Sequence, residues 1–254
     1  MNYSLDKNGF EIFKLNKSLK KAVSNEIRKN ISKKLNIKLN SSYSLISKNI
    51  NLISDKQFKQ LFGFVSLRYL SKEITNKINN YLKLNKLNKN YKKISLHYLS
   101  KSDLIHNNDL KINQYCVYYR VVRKEKKDVS FPHRDSDFWK AHRYDKNLVP
   151  KVPFKYLKRF KVWFPVYGCK NQNSLRFFNF SHKHKIITRY VSKNGYKKPK
   201  ISKKYINQNF KNIVSPINNY EKDALIFDDN IVHFAPKNNS TNLRISCEFT
   251  ILTK

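Results

Sequence analysis

The chain has only four glycines, four alanines and one methionine in 254 residues. It contains no G-x-G-x-x-G turn and no Walker-type phosphate loop, which excludes the nucleotide-binding folds built on them. Its three cysteines, Cys116, Cys169 and Cys247, are too few and too scattered for a C-x-x-C zinc ribbon or redox pair. All three sit in apolar runs and read as small core residues in a reducing setting, so a cytoplasmic location is expected. No run approaches the ~18–20 consecutive apolar residues of a membrane span. Residues 1–10 carry Asp6 and Lys7 and no apolar centre, so a secretory signal is not expected. Acidic residues are scarce too: 17 Asp plus Glu against 53 Lys plus Arg give a formal net charge of +36.

A charge of that size ordinarily suggests nucleic acid or an anionic membrane. The composition weakens that reading. Lys outnumbers Arg 43 to 10, and Asn (32) and Ile (22) are plentiful where Ala and Gly are rare. These are residues of A/T-rich codons, so much of the charge reads as drift toward Lys. Aromatics at 14% exclude a disordered basic tail. A chain of this length is expected to form a single domain over residues 1–254.

The pattern along the chain changes near residue 93. Before it, residues 1–92 read as mainly helical. Leu19, Val23, Ile27, Ile31 and Leu35 stand four apart and predict one helical stripe. Asp55 is read as the N-cap of a helix carrying Phe58, Leu61 and Phe62, and Ser71 as the cap of another carrying Ile74, Ile78 and Leu82. A short strand is expected around residues 10–13, loop over 38–54 and a linker over 83–93. From residue 93 the runs become short, β-branched and aromatic, with candidate strands at 94–99, 112–122, 160–167, 174–180, 186–191, 213–217, 224–227, 231–234 and 243–252. That predicts an α+β chain whose residues 93–254 form a β-sandwich or barrel, with helices packed outside it.

Two segments carry chemistry. His133 and Asp135 form an H-x-D pair; on extended chain, residues two apart point the same way and can bind one cation. A hundred residues later, His233 follows a buried-looking strand and an acidic turn, and Arg244 comes eleven residues after it. Two His and one carboxylate make the facial triad of non-haem Fe(II), with three coordination positions left for a 2-oxoacid and O2. The far carboxylate of 2-oxoglutarate needs a bidentate cationic partner, which suits Arg better than Lys. Taken singly, His233 also reads as a core histidine and Arg244 as an edge-strand surface residue; the ordered set favours the metal reading.

These segments resemble the phytanoyl-CoA dioxygenase family of the Fe(II)/2-oxoglutarate-dependent oxygenases. Gly9-Phe10-Glu11-Ile12-Phe13 is similar to that family's opening strand. His133, Asp135 and His233 match its iron ligands, Val162-Trp163-Phe164 its Trp-containing strand, and Arg244-Ile245-Ser246 its R-x-S cosubstrate clamp. The resemblance implies a double-stranded β-helix, the cupin-like jelly roll, with flanking helices mainly from the first third. It also implies that Arg244, Ser246 and Trp163 meet the cosubstrate. The cofactor set would be Fe(2+), 2-oxoglutarate and O2, and the reaction hydroxylation of a C–H bond of a small molecule with release of succinate and CO2. The chain departs from the family at Asn173-Ser174, at Asn179-Phe180-Ser181-His182, at Ala235, and in a basic, aromatic insertion over 138–159.

Arg134, Arg143, Arg159 and Arg176 are candidates for meeting an anionic substrate. Gln114, Tyr118 and Arg120 lie on the strand before the H-x-D, which in similar enzymes faces the cosubstrate. His182 and His184 form a second close pair, read as lying at the pocket rim without ligating. Two other functions stay open. One is a nucleic-acid-directed 2-oxoglutarate oxygenase, disfavoured because Thr250 stands where the lesion-repair branch has a second Arg. The other is a non-catalytic basic jelly-roll binding protein.

Overall fold

The computed structural model describes residues 3–62, 67–84, 94–96, 98–99, 114–115, 117–126, 128–129, 131–143, 158–193, 196–217 and 219–253. In chain order its elements are α1 (Leu5–Asn8), β1 (Phe10–Lys14), α2 (Lys17–Lys34), α3 (Tyr43–Leu52), α4 (Asp55–Phe62), β2 (Leu67–Tyr69) and α5 (Lys72–Leu84). Then follow β3 (Ile94–Leu96), β4 (Tyr98–Leu99), β5 (Gln114–Tyr115), β6 (Val117–Val122), α6 (Asp135–Arg143), β7 (Lys158–Tyr167) and β8 (Arg176–Phe178). The last are β9 (Thr188–Lys193), β10 (Tyr196–Ile201), α7 (Lys203–Asn209), β11 (Ile213–Val214), β12 (Asp223–Asp228), β13 (His233–Phe234) and β14 (Arg244–Thr253). One antiparallel sheet runs β1-β12-β7-β14-β6-β2, with β3 also on β14; a second, of three strands, runs β11-β8-β13.

Strand alternation sorts the large sheet into two faces. Val117, Tyr119 and Val121 of β6, Phe160, Val162 and Phe164 of β7, and Ile245, Cys247, Phe249 and Ile251 of β14 share one apolar cluster with the helices. The helices reach it through single stripes: Leu19, Val23, Ile27 and Ile31 of α2, Ile46 and Ile50 of α3, Phe58 and Phe62 of α4, and Ile74, Ile78 and Leu82 of α5. Each such fully buried side chain contributes about 1.5–3 kcal/mol. The opposite face carries Tyr118 and Arg120, Lys161 and Trp163, and Arg244, Ser246, Glu248 and Thr250. Against its β12 side packs the small sheet, where Phe177 meets Phe10 at 4.8 Å and Phe227 at 5.0 Å between ring centroids. The functional groups therefore lie on the face turned away from the helices.

Several elements differ from the sequence expectation. Residues 38–54 hold α3, capped by Ser42, whose side chain accepts from the Leu45 amide. The cap of α4 is Ser54, not Asp55: its hydroxyl accepts from the Gln57 amide while Gln57 Oε1 accepts from the Ser54 amide. Asp55 is instead the first helical residue and pairs with Arg123 at 2.8 Å. The expected strands at 174–180 and 231–234 shorten to β8 and β13, because tight turns at Asn171–Asn173 and Ser181–Lys183 and a turn at 228–230 take up their ends. The helices α6 and α7 fall where none was expected. Two strands from residues 1–92, β1 and β2, join the large sheet. The linker over 83–93 lies outside the described residues, except that α5 runs on to Leu84.

Gly168 fixes the turn out of β7. Its φ is +64°, and a Cβ there would stand 1.8 Å from the Leu243 carbonyl oxygen. Only glycine lets this turn press against the start of β14, which brings residues 168–173 beside Arg244.

Candidate metal centre

His133 and His233 are joined by their backbones. The His133 amide donates to the His233 carbonyl at 3.1 Å and the His233 amide returns the bond at 3.0 Å. The pair thus extends the small sheet by one rung and sets the two rings 4.5 Å apart. Each Nδ1 lies against the carbonyl two residues upstream, Phe131 at 2.7 Å and Ile231 at 3.1 Å. A carbonyl only accepts, so Nδ1 carries the proton and the Nε2 lone pair is left for a metal.

Asp135 reaches these nitrogens differently from the sequence expectation. It does not share an extended segment with His133; it opens α6, and the helix start turns its carboxylate back toward the rings. His133 Nε2 lies 3.9 Å from Oδ1 and His233 Nε2 lies 3.7 Å from Oδ2, too long for direct hydrogen bonds. The three ligand atoms lie within 4.8 Å of one another, and Asp135 Oδ2 is buried without a hydrogen-bond partner. A cation between them would satisfy that orphaned oxygen. Burial, helped by His233, pushes His133 down to about 4, so its ring is neutral, as a ligand must be. Burial pushes the Asp135 carboxyl up, but Lys161, the two histidines and Arg120 outweigh it and hold the carboxyl below its usual range. Two imidazoles and a carboxylate on one side of a site fit a first-row divalent ion of the Fe(II) type.

The frame around the triad is polar and largely hydrogen-bonded. Arg134 grips Asp137 with two bonds of 2.8 Å, and Thr188 donates to Asp137 at 2.7 Å, which ties α6 to β9. The Ser136 amide donates to the Asp229 carbonyl at 2.8 Å, and Arg159 donates to the Asp229 carboxylate at 2.7 Å. Arg134 and Arg159 therefore act in the frame, and Arg176 bonds the Gln172 carbonyl. Apolar rings close the other side: Phe227 lies 4.9 Å and Phe177 6.1 Å from the His233 ring, and Phe138 5.3 Å from that of His133.

Arg244, Ser246 and Trp163 lie on the same sheet face, all nearly fully buried. Arg244 Nη1 donates to the carbonyls of Asn173 and Pro236, while Nε has no partner. No carboxylate lies within ion-pair distance of it among the described residues, and burial pushes its pKa down to about 10. Asn173 thus steers the guanidinium through its carbonyl; its amide also donates to Asn238 at 2.8 Å. Across the face, Arg120 bonds Glu248 through Nε (3.2 Å) and Nη2 (3.0 Å). Gln114 has a described backbone only, and His142 and Arg143 lie in the part of α6 whose side chains are not described. His97 and His106 lie outside the described residues. His182 Nε2 stands 3.4 Å from the Asp6 carbonyl, and the triad is the only His/Cys/Asp/Glu group with metal-like spacing among the described residues.

The sequence reading missed two features of this face, Lys161 and the pairing of Arg120 with Glu248. The signal was available: a Lys two residues before Trp163 in an apolar strand must share its face.

The fold is one used by proteins that bind a transition metal together with 2-oxoglutarate. EctD from S. alaskensis, solved with 2-oxoglutarate and 5-hydroxyectoine, superposes with a TM-score of 0.59 at 9% identity, over 98% of this chain and 73% of its own. EctD with bound Fe gives 0.53 at 8%, over 98% and 74%. HygX from Streptomyces hygroscopicus, solved with nickel and 2-oxoglutarate, gives 0.50 at 11%, over 97% and 83%. No protein-family profile matches the chain, and no curated protein matches it in sequence. No helix among the described residues is long and apolar enough to cross a membrane.

Proposed function

We propose that the chain is an Fe(II)- and 2-oxoglutarate-dependent dioxygenase, of the phytanoyl-CoA dioxygenase type, that hydroxylates a C–H bond of a small molecule. Residues 1–254 would then form one domain, residues 1–92 packing on a double-stranded β-helix whose halves are the two sheets. The observation that carries the reading is the convergence of two Nε2 lone pairs and an orphaned carboxylate oxygen within 4.8 Å. Iron bound there, with 2-oxoglutarate and O2, supplies the oxidising chemistry while the cosubstrate is converted to succinate and CO2.

The protein's own part is geometry and charge. His133, Asp135 and His233 would hold the metal through two Nε2 atoms and a carboxylate. Arg244, already desolvated and with no carboxylate partner among the described residues, would receive the C5 carboxylate of 2-oxoglutarate, with Ser246 beside it. Trp163, Phe177 and Phe227 form the apolar wall that keeps water from the site. Two buried free thiols, Cys169 and Cys247, support a reducing, cytoplasmic setting.

With Fe(II), ascorbate and 2-oxoglutarate, the purified protein is expected to form succinate even without its substrate. Replacing His133 and Asp135 together by Ala is expected to abolish that turnover; survival of it in the double variant would sink the assignment.

A further inference from the structure

Lys161 is a buried cation that is neither a member of the triad nor part of the Arg244 clamp. It stands on β7 in the site-facing row, 5% exposed, with Thr250 opposite it on β14. Its ammonium donates to the Tyr118 hydroxyl and lies 4.9 Å from that ring's centroid. No carboxylate comes within ion-pair distance of it among the described residues. A buried ammonium with no carboxylate in ion-pair contact is costly, and a Met would fill the same space without that cost. The site carboxylate does feel it: Lys161 is the strongest cationic influence on Asp135.

Its place on the sheet separates it from the proposed cosubstrate clamp. Arg244 and Thr250 are six residues apart on β14, and Lys161 pairs across from Thr250, so about 20 Å of strand separates the two backbone positions at ~3.3 Å per residue. Arg120, between them, is engaged by Glu248. Lys161 lies at the end where β7 enters the sheet. There Arg159 holds Asp229, whose carbonyl anchors the start of α6.

We propose that Lys161 and Tyr118 form a second anion-binding subsite beside the metal centre, receiving a carboxylate or similar small oxyanion of the molecule to be oxidised. This rests on the functional reading above and narrows its substrate class to anionic molecules. The same chemistry has a second source, the cosubstrate itself, which the test separates.

The test uses the full chain loaded with Ni2+ and saturated with 2-oxoglutarate, titrated with acetate and with inorganic phosphate and followed by thermal melting. Wild type is expected to gain melting temperature with at least one anion, Lys161→Met to lose that response, and Lys161→Arg to keep part of it. The 2-oxoglutarate Kd of Lys161→Met, read by calorimetry, should stay within about twofold of wild type, since Arg244 is intact. A weakening of 2-oxoglutarate by about tenfold or more in Lys161→Met, the size of a lost charged hydrogen bond, makes the cosubstrate the source of the anion and keeps the subsite. Anion response and 2-oxoglutarate affinity both unchanged in Lys161→Met, or no response in wild type with affinity unchanged, overturns the proposal. So does a shared fall in melting temperature of Lys161→Met and Lys161→Arg without anions, which would make Lys161 structural. Failure of the functional reading shows separately, as absence of Ni2+ binding in wild type. The anion titration of metal-free protein then still reads Lys161.

Discussion

His133 and His233 each commit Nδ1 to a carbonyl two residues back, and that local bond decides which nitrogen faces the metal. Pattern reading picked these residues and Asp135 because the order H-x-D, His, Arg is itself chemical. It misjudged how Asp135 arrives, since a helix start and a strand both turn the carboxylate toward His133. It passed over Lys161, because a Lys among 43 carries little information until strand alternation places it. Two predictions belong at this scale. Arg244→Met is expected to weaken 2-oxoglutarate binding by about ten- to a hundredfold while leaving Mn2+ affinity unchanged, read by calorimetry. Asp229 is pushed up to about 6, by burial first, with Arg159 opposing. A raised carboxyl favours the folded state when protonated, so its contribution is full below about 4 and is lost as pH rises to about 6. The stability gap between wild type and Asp229→Asn, from urea unfolding, should therefore move by on the order of 2 kcal/mol in favour of the variant between pH 3.5 and 7.

Among elements, α2 was the most legible, because Leu19, Val23, Ile27 and Ile31 recur every fourth residue with charged residues between. The helix α3 was hidden for a physical reason. Its buried pair, Ile46 and Ile50, is flanked by exposed Leu45 and Leu52, which blur the stripe among Ser and Asn. Its signal was the cap, and Ser42→Ala should cost about 1 kcal/mol in urea unfolding. The strands β6, β7, β12 and β14 of the large sheet were read nearly whole because their β-branched and aromatic runs are long, while the three-residue β2 was not read at all. The small sheet was read too long because turns interrupt it every few residues. Gly168→Ala tests the tightest junction: a Cβ 1.8 Å from the Leu243 carbonyl forces the backbone apart. A loss of about 3 kcal/mol or more is expected, with weaker 2-oxoglutarate binding, as Arg244 follows directly.

At the scale of the molecule, the charge of +36 is the property least tied to the candidate site. The charges nearest the chemistry are few: Lys161 and Arg244 are buried, and Asp135 and the Arg120–Glu248 pair are half-buried. The rest carry a large excess of positive charge that repels itself, so raising salt from roughly 0.05 to 0.5 M should raise the melting temperature by a few degrees. A fall instead would mean that surface ion pairs stabilise the fold. The mixed helix-and-sheet architecture was visible in the sequence as a change of rhythm near residue 93. The inclusion of β1 and β2 in the large sheet was not, because which strands pair is set by long-range packing rather than by any local run. The paired backbones of His133 and His233 also tie together positions exactly one hundred apart in the chain, which makes them a clasp. Neither amide can be protected until the chain between them has folded back, and opening the pair exposes both at once. In hydrogen exchange the two amides should therefore trade their protons at one common rate, and a bound divalent ion should slow both together.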